Sequence, residues 1–479
     1  MNSQIFRTLA AGCLVWMTAA SLPADEPKQL QAGAATSNIT PLIGEPLVGG
    51  FSPEPSQSIH DELNARCLVL DDGQTRLGIV VCDNLSIARE ICDEAKKLAS
   101  AATGIPVDRI LISATHTHSG PAARSKNLAQ PTAELNQYQH FLVRRIADGL
   151  IRANKNLQPA KLAFGSVEVP EHLNNRRWRM EPGPDLENPF GGIDQVRMNP
   201  PAGSPKLIEP AGPIDPQVAF LSVRAKDGRP LALLANYSLH YVGGTRAHEV
   251  SADYFAMFAD RVQELLKADR LDPPFVGMLS NGTSGDINNI NFRQPRPRQP
   301  PYAQMRYVAH DVAGKVAAAH EALQFQDWVP LGMVQRELTL ATRKPTPEIV
   351  EWAEKLVSGA SPSVHRLDKF YAQRALDLKN GPDSVTIVLQ ALRIGELGIA
   401  TTPFETFCET GLEIKRRSPF ATTCTIELAN GGYGYLPTPE QHRLGGYETW
   451  LGTSRVEIEA SRKLTEQLVA MLEQLKAGK

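Results

Sequence analysis

Five short apolar runs in this chain each stop abruptly at a polar or glycine-rich cluster, a pattern that restricts it to an architecture built on buried strands. Residues 109–113 (RILIS) lead into Thr115-His116-Thr117-His118-Ser119-Gly120. Residues 231–237 lead to His240, and residues 275–279 lead into SNGTSGDINNIN at 280–291. Residues 397–400 precede Pro403-Phe404-Glu405, and residues 424–428 precede NGGYGY at 430–435. Brief apolar runs bounded by turn formers are the signature of strands buried on both faces. In open α/β sheets, ligands bind beyond the carboxyl ends of such strands.

The rest of the chain fits around them. Residues 65–70 and 77–82 form a hairpin pair across a segment beginning Asp71-Asp72-Gly73, and residues 218–223 and 231–237 form another around Lys226-Asp227-Gly228. Helical periodicity covers 87–102, 138–153, 254–266, 454–475 and, as one or two helices, 346–378. Residues 385–399 read as further strands. Residues 179–214 are rich in Pro and Gly and read as a long irregular excursion, with a Pro/Arg loop at 293–301. No internal repeat is visible. Mixed strands and helices throughout predict an α/β or α+β fold, mixed sheets flanked by helices, in one large domain from residue 25 to 479.

Composition narrows the function. The chain is 42% hydrophobic and 21% charged, as in a globular protein, and its 50 basic and 52 acidic residues leave a net charge of −2. Without a basic block, nucleic-acid binding is excluded as a reading. Arg7, the apolar stretch 8–20 and Ala24 before Asp25 predict a secretory signal over residues 1–24, hence a secreted or periplasmic protein. The stretch is short for a membrane anchor. Cys13 leaves with the signal. Cys67, Cys82, Cys92, Cys408 and Cys424 are odd in number and widely spaced, which makes no disulfide framework, although one or two bridges are compatible with export.

The chemistry concentrates at the strand ends. In extended chain, residues i and i+2 point the same way, so His116 and His118 are expected to face one site. Imidazole is a common zinc ligand. The plain alternative is a hydrogen-bonded histidine pair at a strand end. His240, alone, reads as structural; beside a second histidine-bearing strand end it becomes a candidate ligand. Gly282 and Gly285 allow close backbone approach, and Asp286 could orient a ligand or move a proton. Glu405 and Tyr435 taken singly are a surface carboxylate and a packing aromatic. Five such strand ends together raise all of them.

THTHSGP at 115–121 resembles the signature of the neutral, or neutral/alkaline non-lysosomal, ceramidases. GAATSNITP at 33–41, the stretch 215–240, SNGTSGD, Glu405 after a proline, and YLPT at 435–438 with Tyr447-Glu448 resemble further family segments, in order, over roughly residues 31–455. The resemblance implies zinc held by His116, His240, Glu405 and Tyr435. It implies His118 and Tyr447 as hydrogen-bond donors to a substrate oxygen, Arg176 near the site, and an amide in an N-acylated lipid as substrate. Peripheral membrane contact goes with such a substrate. Two departures stand out. Asn288, in GDINN, falls where the family has a serine, and the chain stops before the family's immunoglobulin-like domain.

With Asn288 in that place, the expected route is direct attack by zinc-activated water rather than an acyl-enzyme. Donors such as His118 and Tyr447 are each typically worth about 3 kcal/mol at a developing oxyanion, and Asp286 or a histidine would carry the proton. The rival readings are a barrel amidohydrolase using His-x-His, a metal-free binding protein on the same fold, and a purely structural secreted protein.

Overall fold

The computed structural model describes residues 28–50, 52–121, 123 and 134–478; the expected signal segment lies outside them. Eight strands form one sheet: β1 (Gln31–Asn38), β2 (Asn64–Asp71), β3 (Arg76–Cys82), β4 (Ile110–Ala114), β5 (Gln158–Glu168), β6 (Gln217–Ala225), β7 (Pro230–Tyr237) and β8 (Val276–Asn281). Their spatial order is β8-β7-β6-β5-β1-β2-β3-β4. A second sheet holds β9 (Leu331–Ala341), β10 (Ser384–Ile394), β11 (Leu397–Thr401) and β12 (Thr422–Ile426), in that order. The principal helices are α1 (Arg89–Thr103), α2 (Gln137–Lys155), α3 (Asp253–Leu265), α4 (Ala303–His320), α5 (Pro347–Val357), α6 (Asp368–Asn380), α7 (Cys408–Arg417), a short α8 (Pro439–Leu444) and α9 (Ala460–Lys476).

A repeat is present after all, in topology. Three antiparallel strands, a helix, a fourth strand parallel to the third, and a closing helix occur three times. The first unit is β1-β2-β3-α1-β4-α2, the second β5-β6-β7-α3-β8-α4, and the third β9-β10-β11-α7-β12-α9. The first two units share a sheet only through the start of β1, where Gln31 and Ala32 pair with Pro159 and Gln158. One face of every unit contributes to a single apolar cluster, with Leu68 and Ile79 from the first, Leu221 and Met278 from the second, and Leu392 and Ile399 from the third. The opposite face of each is covered by that unit's own helices. Strands with two buried faces must be apolar throughout, which is why β4, β8 and β11 show no alternation.

Local chemistry sets the turns. Between β2 and β3, Asp71 accepts from Gly73 N, and Asp72 accepts from Gln74 N and Thr75 N. Gly73, at φ 90°, takes the left-handed position. Residues 179–214 are not wholly irregular: Arg177–Met180 pairs with Val196–Met198 and Leu207–Pro210, over a small core of Trp178, Met180, Leu186 and Phe292. The five cysteines are buried, unpaired thiols.

The fourth strands of the three units converge at their carboxyl ends. Ala114 N donates to Leu428 O, Glu427 N donates to Asn281 O, and Asn281 Nδ2 donates to Thr115 O. The polar clusters noted in the sequence are the chain that leaves these ends.

Candidate metal centre

His116 departs from expectation in backbone but not in direction. It is not in extended chain: its φ is 74°, and its amide donates to Asn84 O. The chain reverses out of β4 here, and a non-glycine residue accepts the left-handed conformation, a strain that collects at functional sites. The reversal, not the pleat, brings His116 Nε2 and His118 Nε2 to 3.1 Å. His240, three residues past β7, brings its Nε2 to 3.0 Å from His116 Nε2. The carboxylate of Glu405, which follows β11, lies 3.3 Å from His116 Nε2 and 3.8 Å from His240 Nε2.

The tautomers follow from the other ring nitrogens. His116 Nδ1 lies 2.7 Å from Leu85 O, and His240 Nδ1 lies 3.0 Å from Ser284 O. A carbonyl only accepts, so each Nδ1 carries the proton and each Nε2 turns a lone pair inward. Burial, then the Arg176 guanidinium, holds His240 well below the usual imidazole range, so this ring is neutral. Two lone pairs facing at 3.0 Å repel unless a cation lies between them. The edge of a tetrahedral zinc site is about 3.3 Å for metal–nitrogen bonds of about 2.0 Å, and the donor separations here bracket that edge. His116, His118 and His240 can together hold a metal ion, and the residues fit one.

Tyr435 joins the group through its backbone and its hydroxyl. Glu405 pairs with Tyr435 in a short parallel ladder, and their side chains are hydrogen-bonded. Arg176 Nη2 donates to Tyr435 Oη at 2.9 Å and to Gly285 O at 2.8 Å. Burial pushes the Tyr435 phenol well up, and Arg176 pulls it back. Arg176 is itself fixed by Glu448, which is fully buried and bridges Arg176 Nε at 3.1 Å and Arg177 Nη1 at 2.7 Å. Tyr447 stands edge-on to Tyr435 with ring centroids 5.9 Å apart.

Two other expected residues sit outside the ring of donors. Asp286 accepts from Cys408 N at 2.8 Å and from Asn175 Nδ2 at 2.7 Å, while its carbonyl accepts from Arg176 N. Its carboxyl, pushed up to about 7 by burial, ties Asn175 to the start of α7, and only its carbonyl braces Arg176. Asn288 donates to Asn199 and accepts from Asn289 and from Ile290 N, so its amide is committed to the distant Asn199 and to its own loop.

Several residues of the centre were not singled out in the sequence. Glu427 is fully buried and takes hydrogen bonds from Ser284 Oγ at 2.7 Å and Thr406 N at 2.7 Å. It ties the loop behind His240 to the residue after Glu405. Tyr241 lies flat on His118 with centroids 3.7 Å apart. Glu427 follows an apolar strand directly, and Tyr241 is adjacent to His240; those positions were the only available signals. Gly285 allows the closest approach, since a Cβ there would stand 2.5 Å from Glu405 O.

Fold and site thus define a layered α/β protein with a buried candidate metal centre where three strand ends meet. Residues 30–296 match the family described as neutral/alkaline non-lysosomal ceramidase, N-terminal, and the chain belongs to that family. It is 27% identical over 269 residues to the neutral ceramidase of Pseudomonas aeruginosa, a match covering 53% of this chain and 36% of that protein. It is 23% identical over 282 residues to neutral ceramidase B of Dictyostelium discoideum, covering 56% and 36%. The matched stretch thus spans little more than a third of these relatives. The crystal structure of the Pseudomonas aeruginosa neutral ceramidase superposes with a TM-score of 0.68 at 19% identity, over 94% of this chain and 75% of that one. A structure described as ceramidase complexed with C2 gives 0.69 at 18% identity, over 94% and 76%. At these identities the superpositions establish the fold.

Proposed function

We propose that this protein is an exported, zinc-dependent hydrolase that cleaves the amide bond of an N-acylated, lipid-like substrate. The observation that carries the metal is the pair of inward Nε2 lone pairs 3.0 Å apart, each fixed by a carbonyl on the other ring nitrogen. His116, His240, Glu405 and Tyr435 would hold the ion, with His118 beside it. Zinc, when bound, supplies Lewis acidity and makes water nucleophilic near neutral pH.

The chain's own residues account for the remaining roles. The Leu85 and Ser284 carbonyls keep two imidazoles in the ligand tautomer. Arg176, braced by Glu448, holds the Tyr435 hydroxyl. His118 and Tyr447 flank the donors and would hydrogen-bond the substrate oxygen. With the Asn288 amide hydrogen-bonded to Asn199 and to its own loop and Ser284 Oγ donating to buried Glu427, neither offers a nucleophile, which supports direct attack by water. Because Asp286 is enclosed, a histidine is the better carrier of the proton to the leaving amine.

Export rests on the apolar run 8–20 behind Arg7. Contact with a lipid surface is supported by Leu42 and Ile43, 77% and 61% exposed on a turn before Pro46–Val48, a strand that pairs with Gly120–Pro121 next to the histidine motif. Hydrolysis of a fluorogenic N-acyl sphingoid panel, with chelator and then with zinc restored, tests the proposal. Loss and recovery of activity, with one zinc per chain, is expected. A protein that binds no stoichiometric metal with His116 and His240 intact is instead the binding protein that Asn288 also suggests.

A further inference from the structure

One cavity reaches the candidate centre and a second lies behind Tyr241 beside it, and they differ in charge. The larger, about 730 Å³, has Glu405 in its wall with Phe370, Leu378, Val385 and Val456. Its charges are of both signs, Arg89, Arg374 and Arg455 with Glu90, Asp93 and Asp377, so it selects for no net charge. The smaller, about 590 Å³, is lined by Tyr241, whose ring lies on His118, and by Asn199 and Asn288. Its wall also carries Arg296 and Arg298, and no carboxylate lines it.

Those two arginines are unlike their neighbours. Arg246 pairs with Glu249, and Arg293 lies over the Trp178 ring. Among the described residues, Arg296 and Arg298 have no ion-pair partner. The segment Arg293–Pro301 of the sequence, RQPRPRQPP, is stiffened by its prolines, so it presents two guanidinium groups at low entropic cost. Guanidinium is suited to carboxylate, sulfonate and phosphate because its planar fork matches two oxygens at once.

We infer that the substrate is an acidic amide, with an oxyanion bound by Arg296 and Arg298 in the smaller cavity and an apolar arm in the larger one. This rests on the hydrolase reading above and names its substrate class. The reaction adds one water across the amide, releasing the acyl carboxylate and an amine that keeps the anionic group. Tyr241, stacked on His118, separates the centre from this cavity, and Asn288 lines the same wall as the arginines, which gives Asn288 a place in the binding wall in place of a nucleophile's role.

The test compares N-dodecanoyl-taurine with N-dodecanoyl-ethanolamine, which differ in sulfonate against hydroxyl, on the zinc-loaded wild type and on the R296A/R298A double variant. The wild type is expected to favour the sulfonate at least tenfold in kcat/KM, the low end for charge-assisted contacts. The double variant should lose that preference while its zinc content and its rate on the ethanolamide stay unchanged. Equal rates on both amides in the wild type, or a preference surviving in the double variant, would overturn the inference. So would an effect of the arginines seen only when either amide is presented on phosphatidylglycerol vesicles, since they would then be reading a surface. If neither amide is cleaved, the hydrolase reading fails by itself. Calorimetric binding of dodecanesulfonate, tighter in wild type than in the double variant, then still decides the cavity.

Discussion

Gly285→Ala is the smallest change that tests whether the candidate centre depends on interlocked backbones. A methyl group there would stand 2.5 Å from Glu405 O, 2.8 Å from Glu405 C and 3.0 Å from Thr406 C. All three are main-chain atoms, so no rotamer relieves the overlap. An ordinary contact is about 3.5 Å, so the Glu405 segment must withdraw by about 1 Å. Overpacking of that kind typically costs about 1–3 kcal/mol. The ligand function should suffer more, because a displacement of about 1 Å can cost about 100-fold in rate. Gly285 O also accepts from Arg176, so the Tyr435 support shifts with it. The measurements are zinc affinity by competition with a chromophoric chelator, amide hydrolysis, and thermal unfolding on the same samples. A folded G285A protein is expected with zinc affinity at least tenfold weaker. Wild-type affinity and activity in that protein would refute the argument that this approach positions Glu405.

Other consequences can be measured independently. Replacing Glu448 by Ala leaves Arg176 and Arg177 buried without their shared carboxylate, and should cost about 3–5 kcal/mol in urea unfolding; a loss below about 1 kcal/mol would contradict the bridge. Asp286 has its folded pKa raised from 3.8 to about 7, so the folded state holds its proton more tightly than the unfolded one. Its stabilising effect is therefore complete below about pH 4 and is lost as pH rises from there through about 7. In chelated protein, Asp286→Asn should flatten the decline in stability across that window, and an unchanged slope would count against the assignment. His240→Ala should abolish stoichiometric zinc, read by elemental analysis, while the circular dichroism of the fold persists.

Much of the scaffold was readable because its signals are local. The β2–β3 hairpin follows from Asp71 and Asp72 turning their carboxylates onto the turn amides, and β4 from five consecutive buried residues. The candidate ligands were readable as residue types at strand ends, and the family resemblance of THTHSGP joined them. What could not be read was anything carried by the tertiary structure. Strands β5 and β9 have mixed, partly exposed faces, so neither a clean alternation nor an apolar run marks them. Helix α4 follows the Pro/Arg loop without a side-chain cap. The threefold repeat was hidden because the hairpin arms are separated by different insertions, among them the small sheet at 177–210 and helices α5 and α6. His116 was expected in extended chain, since periodicity gives no hint of a left-handed residue. Glu427 reads as an ordinary acidic residue until Ser284 and Thr406 are seen to donate to it.

The proposed cage, with one donor from the first unit, one from the second and two from the third, is a keystone arrangement. No unit alone retains more than a fragment of it, and the stretch that matches the family signature, ending at residue 296, contains both imidazoles but neither Glu405 nor Tyr435. Under the proposed ligand set, ion occupancy would report whether the three modules have docked. An ion that binds only the closed assembly adds about 4 kcal/mol to it at a thousandfold excess over its dissociation constant. Scarcity of metal would then loosen the architecture as well as silence the chemistry.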